Sequence, residues 1–433
     1  MAPHLAPTIS PRLLMWQRVR EYAVPQSMIE TATARRTAGD WAGACAAARV
    51  DTDLDLRAVR DRYGSELVTR LRADLRRLAP DLLRWHMPRI APDGRLRPGL
   101  SVALSRYQTG GATPLQLVVR TPPAWADGGQ RMSLSLWDSA PARPHPDRRF
   151  RLDLHRHLWD ATRCGELARR CGAFLEPTED HAAALGLPTT SSWALARWPA
   201  EAELLLGTES RRRFVVRLSP RRRAVFELVA PDESHLPMLR QLQGVLPSQE
   251  LPVLPEAAAR LLPDLELLRA GLLTSDRLHP LVGPALAAVV PATASVQSTR
   301  ASDPHVVECR GDVHRIALRD GVLAAVDHDA EQLRREGLLV ALGGPALPCL
   351  RAIDAVQRDP DELPAVQDRI RHGDLNGALD VVEALLGPRA ILDAGPLRQE
   401  LQLAAARRVD HGLFRTGLAL RFAHLRNEHR LVP

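Results

Sequence analysis

The sequence predicts an α+β fold that is mostly helical, with a small antiparallel sheet in the N-terminal half, one or two isolated β-hairpins, and helical hairpins at both ends. Three observations support this prediction. Apolar residues recur at helical spacing near the start of the chain, alternate with a period of two between residues 101 and 158, and return to helical spacing toward the C-terminus. The chain has 433 residues, of which 45% are hydrophobic, so it can bury a sizeable core.

The first predicted element is an amphipathic helix that ends before Pro80. Glu66 and Arg70 are placed for an i, i+4 ion pair on its exposed side. Four leucines recur at the spacing of one helix face: Leu67, Leu71, Leu75 and Leu78. This pattern indicates a helix whose leucine face packs on the rest of a domain.

A small antiparallel sheet is predicted to follow this helix. Residues 110–111 and 127–129 supply glycine-bearing turns between the alternating segments. Four segments alternate between apolar and polar residues and are expected to be the strands: residues 101–107, 115–121, 131–137 and 149–158. The proline-bearing loop 138–148 is expected to be an exposed excursion between the last two strands.

The aromatic residues are distributed unevenly along the chain. All eight tryptophans and all three tyrosines lie in the first 198 residues, which indicates a domain boundary near residue 200. Residues 292–304 are rich in serine and threonine and poor in large apolar side chains, as linkers are. Three domains are therefore predicted: a helical start with a tryptophan-rich sheet in 1–200, an arginine-flanked β-hairpin with proline-broken helices in 201–291, and a β-hairpin with a helical C-terminal domain in 305–433.

Two β-hairpins are predicted after residue 200, each with turn residues between two alternating segments. Their segments are 213–218 with 223–229, and 305–309 with 314–318, and residues 322–326 can add a strand to the second hairpin. A helix is predicted to begin after Asp329, because Asp329 and Gln332 match a capping box. Another helix is predicted from Leu397 to His411, with Gly412 at its end.

One short motif occurs twice. Residues 39–44 read Gly-Asp-Trp-Ala-Gly-Ala and residues 373–378 read Gly-Asp-Leu-Asn-Gly-Ala, each before a helical run rich in alanine or valine. In helix-turn-helix repeats, a Gly-Asp pair makes the turn and caps the next helix, while the small alanine lets two helices approach. Because the copies lie more than three hundred residues apart, two separate helical hairpins are favoured, and a TPR-like array is the alternative.

Arginine carries all of the basic charge apart from histidine, because the chain has 58 arginines and no lysine. A Walker-type phosphate loop, a protein kinase and a pyridoxal enzyme each require a lysine, so these classes are excluded. The sequence also lacks a Gly-x-Ser-x-Gly elbow and a Gly-x-Gly-x-x-Gly loop, and no cofactor is expected. The net charge of +7 permits an anionic partner, although GC-rich coding also produces arginine in place of lysine.

The strongest candidate for a metal site is the set Asp153, His155 and His157. If this segment forms a strand, the three alternate residues share one face, and one carboxylate with two imidazoles can bind a common ion. Cys164 and Cys171 are candidates for the remaining ligands. The alternative is a solvated strand face, because the spacing matches no specific ligand signature.

Six arginines around the first of the two hairpins are the candidate anion-binding residues. Guanidinium groups on a two-stranded ribbon can contact phosphates, as in nucleic-acid binding. The six are Arg211, Arg212, Arg213, Arg221, Arg222 and Arg223. They carry no aromatic RNA-binding pattern, so a solvated basic rim or a contact with an acidic protein is the alternative.

Three segments of the chain carry a resemblance to other proteins. The two Gly-Asp motifs and residues 149–159, Arg-Phe-Arg-Leu-Asp-Leu-His-Arg-His-Leu-Trp, resemble segments of uncharacterised proteins from high-GC actinobacteria. The resemblance covers most of the chain. It implies an origin, and it implies no activity and no site residues.

The sequence favours a soluble, non-catalytic interaction or adaptor protein that binds another protein through its helical hairpins, because amphipathic helix is abundant and no specific catalytic motif is found. Two alternatives stay open: a metal-dependent enzyme that uses the Asp153, His155 and His157 cluster, and an arginine-rich protein that binds nucleic acid or another anion. Nucleic acid is the less favoured partner. Five widely spaced cysteines indicate reduced thiols and a cytoplasmic location. No export signal or membrane segment is recognisable, so no membrane partner is expected.

Overall fold

In a computed structural model, the chain has an α+β fold, as the sequence predicts, and divides into two compact units, residues 1–294 and 295–433. The residues described are 10–109, 114–138, 145–173, 187, 192–207, 212–229, 238–242, 251–287, 306–309, 312–319, 322–325, 327–345, 347–351, 363–386 and 396–418. The division falls in the predicted linker 292–304, which lies outside the described residues. The predicted boundary near residue 200 falls inside a helix, Trp198–Leu206.

Helices build much of the first unit. Its described α-helices are Pro11–Arg18 (α1), Gln26–Thr37 (α2), Trp41–Ala47 (α3), Leu56–Tyr63 (α4), Ser65–Arg77 (α5), Pro80–His86 (α6), Leu167–Arg170 (α7), Trp198–Leu206 (α8), Glu256–Ala259 (α9), Pro263–Arg269 (α10) and Gly283–Leu286 (α11). A π-helical turn, Val19–Ala23, directly continues α1. The predicted amphipathic helix is confirmed as α5: its four leucines are buried, and Glu66 lies 3.9 Å from Arg70 at the surface.

A four-stranded mixed sheet packs on these helices. The strands in this part of the chain are Val50–Asp53 (β1), Arg89–Ile90 (β2), Arg95–Leu96 (β3), Ser101–Tyr107 (β4), Leu115–Arg120 (β5) and Met132–Trp137 (β6). The order is β1-β6-β5-β4, and β4, β5 and β6 pair antiparallel, as predicted. The sheet is mixed because β1 joins β6 in parallel. This strand was not predicted, since aspartates are depleted in strands and β1 contains two.

The fourth predicted strand, residues 149–158, is wrong, because this segment forms successive turns and a 3-10 helix, Arg156–Leu158. Backbone N–H groups of Leu154 and His155 donate to carbonyl oxygens three residues earlier, at 3.2 and 3.1 Å. Phe150 and Leu152 are nevertheless buried. Successive turns can therefore place alternate apolar residues inward, and this explains why the sequence pattern imitates a strand.

A second small sheet completes the first unit. Its strands Arg213–Arg217 (β7), Arg223–Val229 (β8) and Met238–Leu242 (β9) pair antiparallel in chain order, so the predicted hairpin is confirmed and β9 is added to it. Trp198 of α8 is buried against Phe226 of β8, with ring centroids 5.4 Å apart. This core therefore contains residues from both sides of the boundary predicted near residue 200.

The second unit contains a three-stranded antiparallel sheet and helices. Its described elements are Val306–Cys309 (β10), Asp312–Arg319 (β11), Val322–Ala325 (β12), Ala330–Ala341 (α12), Leu363–Arg371 (α13), Leu375–Leu386 (α14) and Pro396–Arg415 (α15). Asp329 caps α12 by accepting a hydrogen bond from the backbone N–H of Glu331 at 3.4 Å. The predicted helix end at Gly412 is wrong: α15 continues through it, and the glycine with a positive φ is Gly417, at 71°. Among the helices in the described ranges, none is long and apolar enough to cross a membrane.

The repeated Gly-Asp motif forms the same helical hairpin in both units, as predicted. In the first copy, Gly39 ends α2 with a φ of 79°, and Asp40 caps α3 by accepting from the N–H of Gly43 at 2.8 Å. Arg35 donates to the same aspartate at 3.2 Å. The second copy repeats each feature with Gly373, Asp374, Gly377 and Arg369. The shared Gly-Asp motif therefore forms the same turn and helix cap in both units.

We expect Gly377→Ala to leave the protein about 1–2 kcal/mol less stable than Gly412→Ala. A Cβ at position 377 would lie 2.3 Å from Asp374 Oδ2, so the aspartate would have to leave its capping position. A Cβ at position 412 meets no atom within 4 Å, so alanine there should give the usual helix gain over glycine. Urea unfolding of the two variants measures the difference. Equal stabilities would contradict the claim that Asp374 stabilises its helix by capping it.

Candidate functional site

The residues of the predicted metal site lie in the turns between residues 150 and 158. Asp153 accepts hydrogen bonds from Nε and Nη2 of Arg151, each at 2.8 Å, and lies 3.1 Å from Nε of Arg106. Charge-assisted hydrogen bonds of this kind are among the stronger ones in proteins. Both carboxylate oxygens of Asp153 are therefore engaged by arginine.

His155 is buried between two oxygen acceptors. Its Nδ1 lies 2.9 Å from the carbonyl oxygen of Arg151, and its Nε2 lies 3.0 Å from Oε2 of Glu201. Glu201 also accepts from Arg170 at 3.0 Å and from Arg197 at 3.3 Å. Burial raises the pKa of Glu201, but hydrogen bonds from His155 and Arg170 outweigh it and hold this pKa well below its usual value. His155 is thus part of a buried ion-pair network.

His157 lies beside His155, with ring centroids 5.8 Å apart, and is 2% exposed. Burial lowers the pKa of His157 well below its usual value, and the positive charges of His155 and Arg170 lower it further. The thiols of Cys164 and Cys171 donate to backbone carbonyl oxygens three residues earlier, at 3.1 and 3.4 Å. Within the described residues, no group of three or more His, Cys, Asp or Glu side chains is arranged to hold a metal ion.

The predicted anion-binding arginines surround the β7–β8 hairpin. Nε of Arg213 donates to Glu227 across the two strands at 3.1 Å, and Nη2 of Arg212 lies 3.6 Å from Glu203. Three more arginines are exposed at the turn and the start of β8: Arg221, Arg222 and Arg223. Arg211 lies outside the described residues. Carboxylates thus pair with Arg212 and Arg213, which reduces the positive charge that this hairpin offers to an anion.

A more enclosed candidate site is a cavity of about 390 Å³ in the first unit. Its wall is formed by α1 and the π-helical turn, the end of α6, the β2–β3 hairpin, the turns of residues 150–158, and the segment from α9 to α10. Much of the wall is apolar and includes Met15, Trp16, Met87, Phe150, Leu152 and Leu158. A cavity of this size and lining suits a small organic molecule.

The charged part of the cavity wall is strongly unbalanced. Among the described residues, six arginines and one carboxylate line it. Four of the arginines have carboxylate partners: Arg12 with Glu266 at 2.7 Å, Arg20 with Asp264 at 2.7 Å, Arg197 with Glu201 at 3.3 Å, and Arg260 with Glu256 at 3.8 Å. The other two are Arg89 and Arg97.

Arg20 holds one wall of the cavity in place. Its Nε and Nη2 donate to the two carboxylate oxygens of Asp264 at 2.9 and 2.7 Å, and its Nη1 donates to the carbonyl oxygen of Trp85 at 2.6 Å. The guanidinium also lies over the rings of Trp85 and Trp16, 4.5 and 5.0 Å from their centroids. The side chains of the Arg20–Asp264 pair are 1% and 0% exposed. This bidentate pair fixes the π-helical turn against α10.

Arg89 and Arg97 lie at the base of the β2–β3 hairpin, where the N–H of Arg97 donates to the carbonyl oxygen of Pro88 at 3.0 Å. Arg89 is 7% exposed, and its Nη2 donates to the carbonyl oxygen of Arg84 at 2.6 Å. Nε of Arg89 and Nε of Arg97 are both buried without a hydrogen-bond partner. Within the described residues, no carboxylate pairs with either arginine.

Burial and neighbouring cations disfavour the charge on Arg89. Burial lowers its pKa to about 9, with a further contribution from the charge of Arg20. Arg84, which is fully buried, lies close by; burial lowers its pKa well below the usual value, and the charges of Arg49 and Arg89 lower it further. Arg84 and Arg89 therefore place positive charge beside the cavity, and no carboxylate among the described residues pairs with either of them.

Two histidines and a cysteine complete the polar wall. Nδ1 of His86 lies 3.1 Å from the carbonyl oxygen of Leu158, while Nε2 of His86 and Nδ1 of His157 are buried without partners. Burial lowers the pKa of His86 to about 4 and raises the pKa of the Cys171 thiol to about 11. Near neutral pH the cavity therefore offers cations, a neutral imidazole at His86 and a protonated thiol.

Sequence reasoning missed this cavity, because its wall is assembled from short segments spread between residues 12 and 263. The one local signal is the spacing of Arg12, Trp16 and Arg20 at i, i+4 and i+8 on one helical face. Arginines that share a face with a large aromatic side chain are candidates for a buried polar wall. Comparisons with protein-family models, curated proteins and solved structures found no match to the chain.

Proposed function

We propose that the protein binds a small organic anion, with a carboxylate or phosphate group and an apolar body, in the cavity of the first unit. The observation that carries this proposal is Arg89, a buried guanidinium without a carboxylate partner among the described residues. A buried charge without a counter-charge costs several kcal/mol, and the cost is offset when an anion arrives beside it. The arrangement thus favours a ligand that brings the missing negative charge.

The position of Arg97 supports the same ligand. It stands with Arg89 at the base of one hairpin, and each arginine has an unused Nε–H donor. Guanidinium groups bind carboxylate and phosphate oxygens through paired hydrogen bonds. Trp16 and Phe150 in the apolar wall can then cover the uncharged part of the ligand.

The chemistry of the wall favours binding over catalysis. A thiol with a raised pKa, such as that of Cys171, is a poor nucleophile, because the thiolate is the reactive form. His86 is neutral at physiological pH because burial lowers its pKa. No described carboxylate stands within hydrogen-bond distance of either side chain to activate it as a base. Binding is therefore the function that this wall supports best.

The functions favoured by the sequence stay predictions. Helical hairpins at both ends of the chain agree with an interaction or adaptor protein, but the described surface does not identify a partner. Asp153 and His155 are engaged by arginine and glutamate, which leaves fewer donor atoms for a metal-dependent enzyme. Anion binding, an alternative that the sequence left open, is thus proposed for the cavity and not for the β7–β8 hairpin.

We expect acids to bind this protein at least tenfold more tightly than uncharged analogues of the same shape, because only the acid neutralises Arg89. Isothermal titration calorimetry with phenyl phosphate and 3-phenylpropionate, compared with the methyl ester of 3-phenylpropionate, measures the difference. A control variant that replaces Arg221, Arg222 and Arg223 by glutamine should bind the acids as the wild type does. Equal affinity for the ester, or loss of binding in this control, would contradict the proposed site.

A further inference from the structure

His86, a residue of the cavity wall, carries a buried acceptor that an anion cannot satisfy. Nδ1 of His86 lies 3.1 Å from the carbonyl oxygen of Leu158. A carbonyl oxygen only accepts, so Nδ1 carries the proton and donates it. In the neutral ring, Nε2 is then an unprotonated acceptor with a lone pair.

This acceptor has no partner in the protein. Nε2 of His86 is buried and makes no hydrogen bond, while His86 itself lines the cavity. Arg20, another residue of the cavity wall, does not donate to it, because the hydrogen bonds of its guanidinium go to Asp264 and to the carbonyl oxygen of Trp85. A buried acceptor without a donor is unfavourable, and such atoms are rare in folded proteins.

An ionised acid group cannot supply the hydrogen-bond donor that Nε2 of His86 lacks. The oxygens of a carboxylate or of a fully ionised phosphate only accept hydrogen bonds, so they would repel the lone pair of Nε2. A hydroxyl or an N–H on the ligand would donate to it. The cavity wall therefore combines donors at Arg89 and Arg97 with an acceptor at His86.

Building on the anion site proposed above, we propose that the ligand is an apolar acid that also carries a hydrogen-bond donor, a hydroxyl or an N–H, and that Nε2 of His86 accepts from this donor. The acid neutralises Arg89, the donor satisfies His86, and the apolar body lies against Trp16 and Phe150. Simple fatty acids and aryl acids without a donor should bind the same site more weakly. Hydroxy acids and N-acylated amino acids should bind it more tightly.

Calorimetry with three acids of one skeleton tests this class: 3-phenylpropionate, 2-hydroxy-3-phenylpropionate and N-acetylphenylalanine. We expect the wild type to bind at least one of the two donor-bearing acids about tenfold or more tightly than 3-phenylpropionate. In His86→Leu the preference should fall below about threefold, since the acceptor is gone. The matched control is His145→Leu, an exposed histidine outside the cavity wall, which should keep the wild-type preference.

Nitrogen NMR of histidine-labelled wild-type protein gives a second readout that does not depend on the folding of His86→Leu. Nε2 of His86 should show the shift of an unprotonated nitrogen, and this shift should move when a donor-bearing acid binds and stay unchanged with 3-phenylpropionate.

Three results would overturn the inference. Equal affinity for all three acids would refute the donor requirement while leaving the anion site intact. An Nε2 resonance that no bound acid moves would refute the role of His86. Failure of every acid to bind in a saturable way would refute the proposed function itself, and the donor class with it.

Discussion

Asp264→Ala is expected to lower the free energy of unfolding by about 3–5 kcal/mol. The substitution removes both carboxylate oxygens from Arg20, whose side chain is 1% exposed, and leaves the guanidinium buried with no counter-charge. Trp85 loses the acceptor of its indole N–H, which lies 2.9 Å from Asp264 Oδ1. The loss exceeds that of an ordinary surface ion pair because the Arg20 guanidinium stays buried away from water while the protein is folded.

Urea unfolding followed by circular dichroism measures this effect. The matched control is Asp61→Ala, whose side chain is 74% exposed and 3.6 Å from Arg60, and which should change the stability by less than about 0.5 kcal/mol. A double variant, Arg20→Met with Asp264→Leu, should recover much of the stability, because well-packed apolar residues can replace a buried ion pair. Similar losses in Asp264→Ala and Asp61→Ala would show that the pair does not hold this wall together.

The same pair predicts a pH dependence. Burial raises the pKa of Asp264, but the charge of Arg20, the nearby His86 and the hydrogen bonds from Arg20 and Trp85 together outweigh it and hold the folded-state pKa below the usual value. A carboxyl group with a depressed folded-state pKa contributes stability that is complete above its unfolded pKa of about 4 and is lost as the pH falls through the folded value. The difference in stability between wild type and Asp264→Ala should therefore shrink in acid.

Patterns that involve only neighbouring residues were readable from the sequence. The leucine spacing of α5 and the paired Gly-Asp motifs each specify a local geometry, and both appear in the structure as predicted. The ends of helices were predicted less accurately. Gly412 failed as a helix end because a glycine can remain in helical conformation, and Gly417 is the one that adopts a positive φ.

The segment 149–158 shows why alternation is an incomplete signal. Its arginines pair with aspartates two residues away, Arg149 with Asp147 and Arg151 with Asp153 at 2.5 and 2.8 Å. These local pairs accompany turn hydrogen bonds, and together they take the place of a strand ladder. Phe150 and Leu152 are buried in these turns, as alternate residues on the inner face of a strand would be, so hydrophobicity alone does not distinguish turns from a strand.

The cavity could not be predicted because its charge balance depends on pairings between distant residues. Arg12 and Arg20 find their carboxylates about 250 positions away, with sequence separations of 254 and 244. In sequence, Arg89 and Arg97 look like any two of the 58 arginines. They stand out only after the other arginines of the wall have been matched with partners in the folded chain.

Arg89→Met is expected to weaken the binding of acids by about 100-fold, because it removes the unpaired charge that the ligand neutralises. The ligand-free protein should lose far less stability than in Asp264→Ala, since Arg89 has no carboxylate to leave behind and its loss removes one buried charge. A substitution that weakens binding strongly while sparing the fold separates a ligand-binding arginine from a structural one such as Arg20. Arg72→Met, which replaces an exposed arginine of α5, is the matched control.

The anion site is tested most directly by the dissociation constant of phenyl phosphate for the wild type, Arg89→Met and Arg72→Met. Isothermal titration calorimetry measures this constant, and the unfolding transition of each variant verifies that it is folded. We expect one saturable site in the wild type, the same affinity in Arg72→Met, and about 100-fold weaker binding in Arg89→Met. Equal affinity in all three proteins, or no saturable binding to the wild type, would contradict the proposed anion site.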